Sequence, residues 1–348
     1  MKKVFLAAGV HLACLVPSHA LNINLNAPGG IDPGALAGFQ LAANYWQSKL
    51  ADSVTVNINV DFSVLGPGIL GSTGSSSLGF AVSDVMGALA FDAKSSNDFL
   101  AVSSFPSLSA LGNLSFLTQQ NTEGGSALVS LDNDDLADAY LGNVSTNNQF
   151  LALTSANARA LGWDPGNSTY VDAAISFSSS FAWDFDPSNG IGAGLQDFVG
   201  VTIHEMGHAL GFVSGVDDVD YFITNPADID PYAVFTTLDL FRYSAPGTLD
   251  LGVGDASYFS IDGGVTSLGA FSTGSLENGG DGRQASHWKD NLGLGIMDPT
   301  ANPAGQANTP TELDLTAFDS IGWDLVPEPS AAMLALAGAV ISLARRRR

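Results

Sequence analysis

The chain has 348 residues, enough for one large domain or two lobes of one, and 35 acidic against 12 basic side chains give it a formal charge of −23. Such a field repels phosphate backbones and anionic lipid, which argues against nucleic acid as a partner. The one cysteine, Cys14, lies in an apolar leader, so no disulfide is expected in the remainder.

Met1-Lys2-Lys3 is basic, Val4 to Val16 is apolar, and Ser18-His19-Ala20 has the small-x-small form of a secretory cleavage site. Residues 1–20 therefore read as a signal peptide with the mature chain starting near Leu21. His11 and His19 leave with it, so only His204, His208 and His287 remain.

Asp32-Pro33 reads as an N-cap with proline at the first helical position, and Leu36, Phe39, Ala43, Trp46 and Leu50 recur at helical spacing over 33–51. Residues 53–62 alternate Val54, Val56, Ile58 and Val60 with polar neighbours, as a half-buried strand does. A Gly/Ser-rich loop is expected over 66–78, helices over 82–94 and 149–161, and a strand over 173–183. A glycine-rich turn at 190–194 then leads into a helix from Leu195 to Phe212. Residues 216–300 carry little regular pattern beyond a short strand at 237–243, and a last helix spans 311–322 between Thr311 and Gly322.

The helix over 195–212 carries HEMGH. Leu195, Phe198, Val199, Ile203, Met206 and Leu210 form the stripe expected to face the core, with Val201, His204, Glu205 and His208 opposite. His204 and His208 are one turn apart and can grip a single cation, while Glu205 is placed to take a proton from an attacking water. A catalytic zinc normally takes three protein ligands, so one is missing. Asp217, Asp218 and Asp220 could bend back to supply it. His287 is the stronger candidate, because imidazole suits zinc and no other histidine is left.

HEMGHALGF (204–212), SHWKDNLGLGIMDP (286–299) and LTAFDSIGW (315–323) together resemble the leishmanolysin-like branch of the metzincin proteases. In the wider clan a third histidine stands three residues after the glycine, where this chain has Ser214; in the leishmanolysin-like branch it follows an insert. The resemblance implies zinc on His204, His208 and His287, Glu205 as general base, Gly211 as the turn out of the helix and Met297 in a turn beneath the metal. It also implies an α+β, two-lobe architecture: an upper lobe over about 21–215 with a mixed sheet and the active-site helix, and an irregular lower lobe over about 216–325 with the methionine turn and the C-terminal helix. The eukaryotic members are rich in disulfides, which this chain lacks.

At the C-terminus, Pro327-Glu328-Pro329, an apolar run from Ala331 to Ala344 and Arg345 to Arg348 resemble a PEP-CTERM sorting signal. This implies processing of residues 326–348 by an exosortase-type enzyme, export to the envelope or exterior of a Gram-negative bacterium, and membrane contact only through the two terminal signals. The function expected is metal-assisted hydrolysis of a protein or peptide substrate, with the strand at 173–183 lining the cleft. The alternative is a non-catalytic surface or matrix protein that keeps a structural zinc. Calcium is a second candidate ion at Asp184-Phe185-Asp186, although the glycine there is one place late for a calcium loop and no glutamate closes it. Asp132, Asp134 and Asp135 read as a solvated turn, and Arg283, Trp288 and Lys289 as surface or packing residues.

Overall fold

A computed structural model describes residues 21–110, 112–121, 128–132, 146–166, 169–225 and 232–327. Residues 1–20, expected to be a signal peptide, most of the C-terminal segment 326–348, and Asp134 and Asp135 lie outside these. The class is mixed α+β.

β1 (Asn22–Asn26) runs parallel to β2 (Thr55–Ser63), joined by the crossover helix α1 (Pro33–Lys49). Asp32 caps α1, its Oδ1 accepting the amides of Gly34 and Ala35 at 2.7 and 3.2 Å. The Gly/Ser-rich stretch is not a loop. It forms β3 (Gly71–Ser75) and β4 (Ser77–Ala81), invisible to a periodicity argument because glycine and serine carry no hydrophobic signal.

α2 (Val82–Asp92) and α3 (Ser96–Ser103) follow, and β5 (Leu117–Asn121) pairs antiparallel with β6 (Leu128–Asp132). The helix expected over 149–161 is instead three pieces: α4 (Thr146–Gln149), β7 (Phe150–Thr154) and α5 (Ser155–Ala160). β7 pairs antiparallel with β4, which buries Leu151 and Leu153. β8 (Ala173–Ser178) stops five residues short of the strand end expected at 183, and the short β9 (Trp183–Asp184) pairs with β10 (Gln196–Asp197).

The main sheet has the order β1-β2-β8-β3, parallel except for the antiparallel edge strand β3. β8 is thus interior, and the strand beside the motif is β3, contrary to the expectation for 173–183. The motif helix, α6 (Phe198–Ala209), packs against β3 and α1. Phe198 at its start meets Phe39 and Phe177 at ring separations of 4.9 and 4.8 Å, with Phe62 and Phe185 completing the cluster.

α6 is not two-faced. Val201 and Glu205 are buried along with the predicted apolar stripe, and His204 and His208 are the two half-exposed side chains of its last two turns. The reason is that α6 lies between α1, β3 and the returning C-terminal segment, so only the side that lines the cleft is open.

The irregular segment contains α7 (Val216–Thr224) and a four-stranded antiparallel sheet, β12-β11-β13-β14, from β11 (Arg242–Ala245), β12 (Thr248–Leu249), β13 (Tyr258–Phe259) and β14 (Gly269–Ala270). A 3₁₀ turn (Leu238–Phe241) takes up most of the strand expected at 237–243. The last helix, α8 (Glu312–Ser320), opens with a Thr311/Asp314 capping box, and its Phe318 stacks edge-on against Trp46 at 4.5 Å. Among the described residues no helix is long and apolar enough to cross a membrane.

Candidate metal centre

The local chemistry of α6 sets the first two imidazoles. Asp197 caps its start, with Oδ1 accepting the Gly200 amide at 2.9 Å and Oδ2 the Asn308 amide at 2.8 Å. Its end is a Schellman turn. Gly211 has φ +119°, its amide reaches the His208 carbonyl at 3.1 Å, and the Phe212 amide reaches the Gly207 carbonyl at 3.0 Å. That turn brings the Phe212 carbonyl back to 2.7 Å from His208 Nδ1, so the glycine that ends the helix also orients one imidazole.

His204 Nδ1 meets the Ile296 carbonyl at 2.7 Å, and His287 Nδ1 meets the Gln284 carbonyl at 3.2 Å. A carbonyl can only accept, so all three Nδ1 atoms carry a proton, which in the neutral imidazole leaves the Nε2 lone pair free for a cation. The three Nε2 atoms form a triangle with edges of 3.1, 3.1 and 3.3 Å. Three such lone pairs repel one another unless a cation lies between them. A tetrahedral zinc with Zn–N distances near 2.05 Å requires edges of roughly 3.3 Å, so the residues fit that ion.

Burial and the neighbouring histidines hold His208 down at about pKa 3 and push His287 well below the usual imidazole range. Both are neutral at physiological pH, the form that ligates. His204, His208 and His287 make up one of two groups of three potential ligands among the described residues. The other is Asp52, Asp92 and Asp324, where the Lys94 ammonium already pairs with Asp92 and Asp324.

Glu205 lies beside the triangle, 5 % exposed. Its Oε2 accepts the Thr73 hydroxyl of β3 at 2.6 Å. Burial raises its pKa, opposed by His204 and by the Thr73 bond. Gly71, also on β3, makes the space: a Cβ there would stand 2.5 Å from Glu205 Oε1. Met297 is fully buried and packs under α6 at Gly207, where a Cβ would stand 2.5 Å from its sulfur.

Asp314 fixes that turn, accepting the Ile296 amide at 2.8 Å, the Met297 amide at 3.3 Å and Trp288 Nε1 at 2.8 Å. Trp288 is wholly buried and stacked on Phe271, so its role is packing; Arg283 and Lys289 pair with Asp290 and Asp281.

The aspartates weighed as the third ligand go elsewhere. Asp217 binds the amides of Ala285 and Ser286, Asp220 binds Ser275 and Asn278, and Asp218 lines the cleft away from the triangle. The calcium candidate loop satisfies itself: Asp184 accepts the amides of Asp186 and Gly192, and Asp186 that of Ser188. Thr73, Gly71 and Asp314 escaped the sequence reading. The only signal for Asp314 was its position three residues after Thr311, the capping-box spacing.

A cleft of about 1230 Å³ passes over the site, lined by Gly71 and Thr73 of β3, by His204, Glu205 and His208 of α6, and by His287 and Asp298. Comparison with known protein families matches residues 325–348 to the PEP-CTERM protein-sorting motif. No curated protein and no solved structure matches the chain. The motif marks an exported protein sorted to the cell envelope or the extracellular space, typical of Gram-negative bacteria, and recognised by an exosortase-type processing enzyme.

Proposed function

We propose that the chain is an exported zinc-dependent endopeptidase, with His204, His208 and His287 as metal ligands and Glu205 as general base. The observation that carries this reading is the triangle of bare Nε2 atoms beside a buried carboxylate. The resemblance to the leishmanolysin-like metzincins supports it, and with it a two-lobe arrangement in which the cleft divides an upper lobe over about 21–215 from a lower lobe over about 216–325. Bound there, zinc would acidify a water and polarise the scissile carbonyl.

The chain's own residues would do the rest. Glu205, pinned through Oε2 to Thr73, keeps Oε1 to take the proton from the attacking water and pass it to the leaving amine. The edge strand β3, antiparallel in its sheet and lining the cleft, offers unpaired backbone groups to an extended peptide. This is the role the sequence reading gave to 173–183.

The test is metal analysis and casein cleavage on wild type and Glu205→Ala side by side. One zinc per chain in both, with cleavage falling by roughly 10²–10⁴-fold in the variant, is expected. A zinc-loaded wild type that cleaves neither unfolded proteins nor a peptide library would overturn catalysis in favour of a structural zinc in a surface or matrix protein.

A further inference from the structure

The third imidazole belongs to a residue 79 positions after His208, yet its Nε2 stands 3.1 Å from that of His208. We propose that Asp217, acting through Ser286, is a positioning residue that holds His287 in its ligating pose before any metal arrives; the proposal rests on the metal reading above.

Asp217 lies in the first turn of α7, which begins at Val216, after the metal helix ends at Ala209. Its Oδ1 accepts the Ala285 amide at 2.6 Å, and its Oδ2 accepts the Ser286 amide at 3.1 Å and the Ser286 hydroxyl. The same Ser286 oxygen accepts the Ser214 amide at 2.9 Å. Ser214 donates its own hydroxyl to Asp239 Oδ1 at 2.5 Å, and Asp239 Oδ2 takes the Gly215 and Thr236 amides, each at 2.8 Å. The returning segment is therefore docked on the exit of the helix that carries the other two ligands. Ser214, the position where a contiguous site would place its third histidine, is the docking point.

The other side of the segment is held as firmly. The buried Arg242 donates to the Ala285 carbonyl at 3.3 Å and to the Ser272 carbonyl at 2.7 Å. The Ser272 amide reaches the His287 carbonyl at 3.0 Å, and the Ser272 hydroxyl reaches the Trp288 carbonyl at 2.8 Å. The backbone is thus fixed on both sides of the His287 side chain without recourse to an ion.

A carboxylate is needed at 217 because three donors converge on two oxygens. An amide there turns one acceptor into a donor and sets it against an N–H or an O–H. Burial pushes the Asp217 and Asp239 carboxyls up, opposed first by the hydrogen bonds each accepts and then by the Arg242 guanidinium.

The experiment uses the chain with zinc alone and with Co²⁺ as a spectroscopic probe, on wild type, Asp217→Asn and Ser286→Ala. Zinc affinity is read by chelator competition and ligand geometry by the visible Co²⁺ spectrum, neither of which depends on proteolysis. Loss of a supporting partner typically weakens metal binding about 10–100-fold, so affinity should fall by that factor in Asp217→Asn and by about tenfold in Ser286→Ala. An altered Co²⁺ spectrum should accompany both, while the metal-free Ser286→Ala keeps the wild-type circular dichroism. Ser286→Ala decides alone if Asp217→Asn does not fold. Wild-type affinity and spectrum in the folded variants overturn the positioning role. A wild type that takes up no zinc overturns the metal reading itself, and this proposal with it.

Discussion

Glu205 owes its surroundings to β3, where one residue supplies a hydrogen bond and another supplies room. Hydrogen bonds to charged groups contribute about 1.5–3 kcal/mol, so Thr73→Val should lower kcat/KM roughly ten- to hundredfold while zinc content stays at one per chain. Unchanged turnover in that variant would remove Thr73 from the account. A different carboxylate contributes to the pH dependence of stability. Burial, then the charge of Asp324, lifts Asp52 to about pKa 7, and its Oδ2 still accepts the Asp324 amide at 2.9 Å. Because the folded pKa lies above the unfolded one, the folded chain holds this proton more tightly. The stabilising contribution is complete below about pH 4 and is lost as pH rises through 7. Asp52→Asn should therefore raise the unfolding free energy at pH 8 by on the order of 1–2 kcal/mol, with the gain shrinking toward pH 5; thermal melts at the two pH values read it directly. His204, Glu205 and His208 were legible because their spacing is itself the chemistry, and His287 because no other histidine is left after residue 20. Thr73 was not, since a threonine in a Gly/Ser stretch has no pattern to betray it.

Among the elements, α1, β2 and α8 were legible because cap residues and apolar periodicity agree there: Asp32 with Pro33, then Val56, Ile58 and Val60, then Thr311 with Asp314. β3 and β7 were lost for opposite reasons. β3 has no large apolar residue, whereas Phe150 to Thr154 runs into a helix-forming sequence that masks its strand character. The element most exposed to a small change is the contact of β3 with α6. In Gly71→Ala the new methyl would enter the space of the Glu205 carboxylate, so cleavage should drop sharply while zinc affinity, measured by chelator competition, stays at the wild-type value. Equal losses of both would show that the methyl deforms α6 itself and does not simply displace the base. Gly207 tests the other side of the helix. Its Cβ would overlap the Met297 sulfur, and Gly207→Ala should destabilise the chain by about 1–3 kcal/mol through overpacking, seen as a shift in denaturant midpoint.

On the scale of the whole chain, the bracing of residues 285–288 predicts that metal removal costs stability without unfolding. At a zinc concentration one hundred times its Kd, bound metal contributes about 2.7 kcal/mol. Chelation should then lower the thermal midpoint by roughly 4 °C and leave the circular dichroism at 25 °C unchanged. Outright unfolding at that temperature would mean that the polar brace cannot hold the site alone. The terminal sorting signal and the export it directs were legible from composition and order, since basic, apolar and Pro-Glu-Pro segments declare themselves without a fold. The architecture of 216–300 was not, because its order comes from aspartates and serines bonding backbone amides far away in sequence, as Asp217 does with Ala285 and Ser286.

The same separation has a consequence for the order of events as the chain folds. Each doubling of a closed loop adds about 0.6 kcal/mol of entropy cost, so joining residues 79 apart costs roughly 2 kcal/mol more than joining residues about ten apart. His208 and Glu205 have their partners as soon as α6 ends in its turn and lies on β3, but His204 waits for the Ile296 carbonyl and the triangle for a later segment to dock on Ser214. A nascent or exported chain that stops short of that docking step has the Glu205 carboxylate in place and two nitrogens with no third to meet.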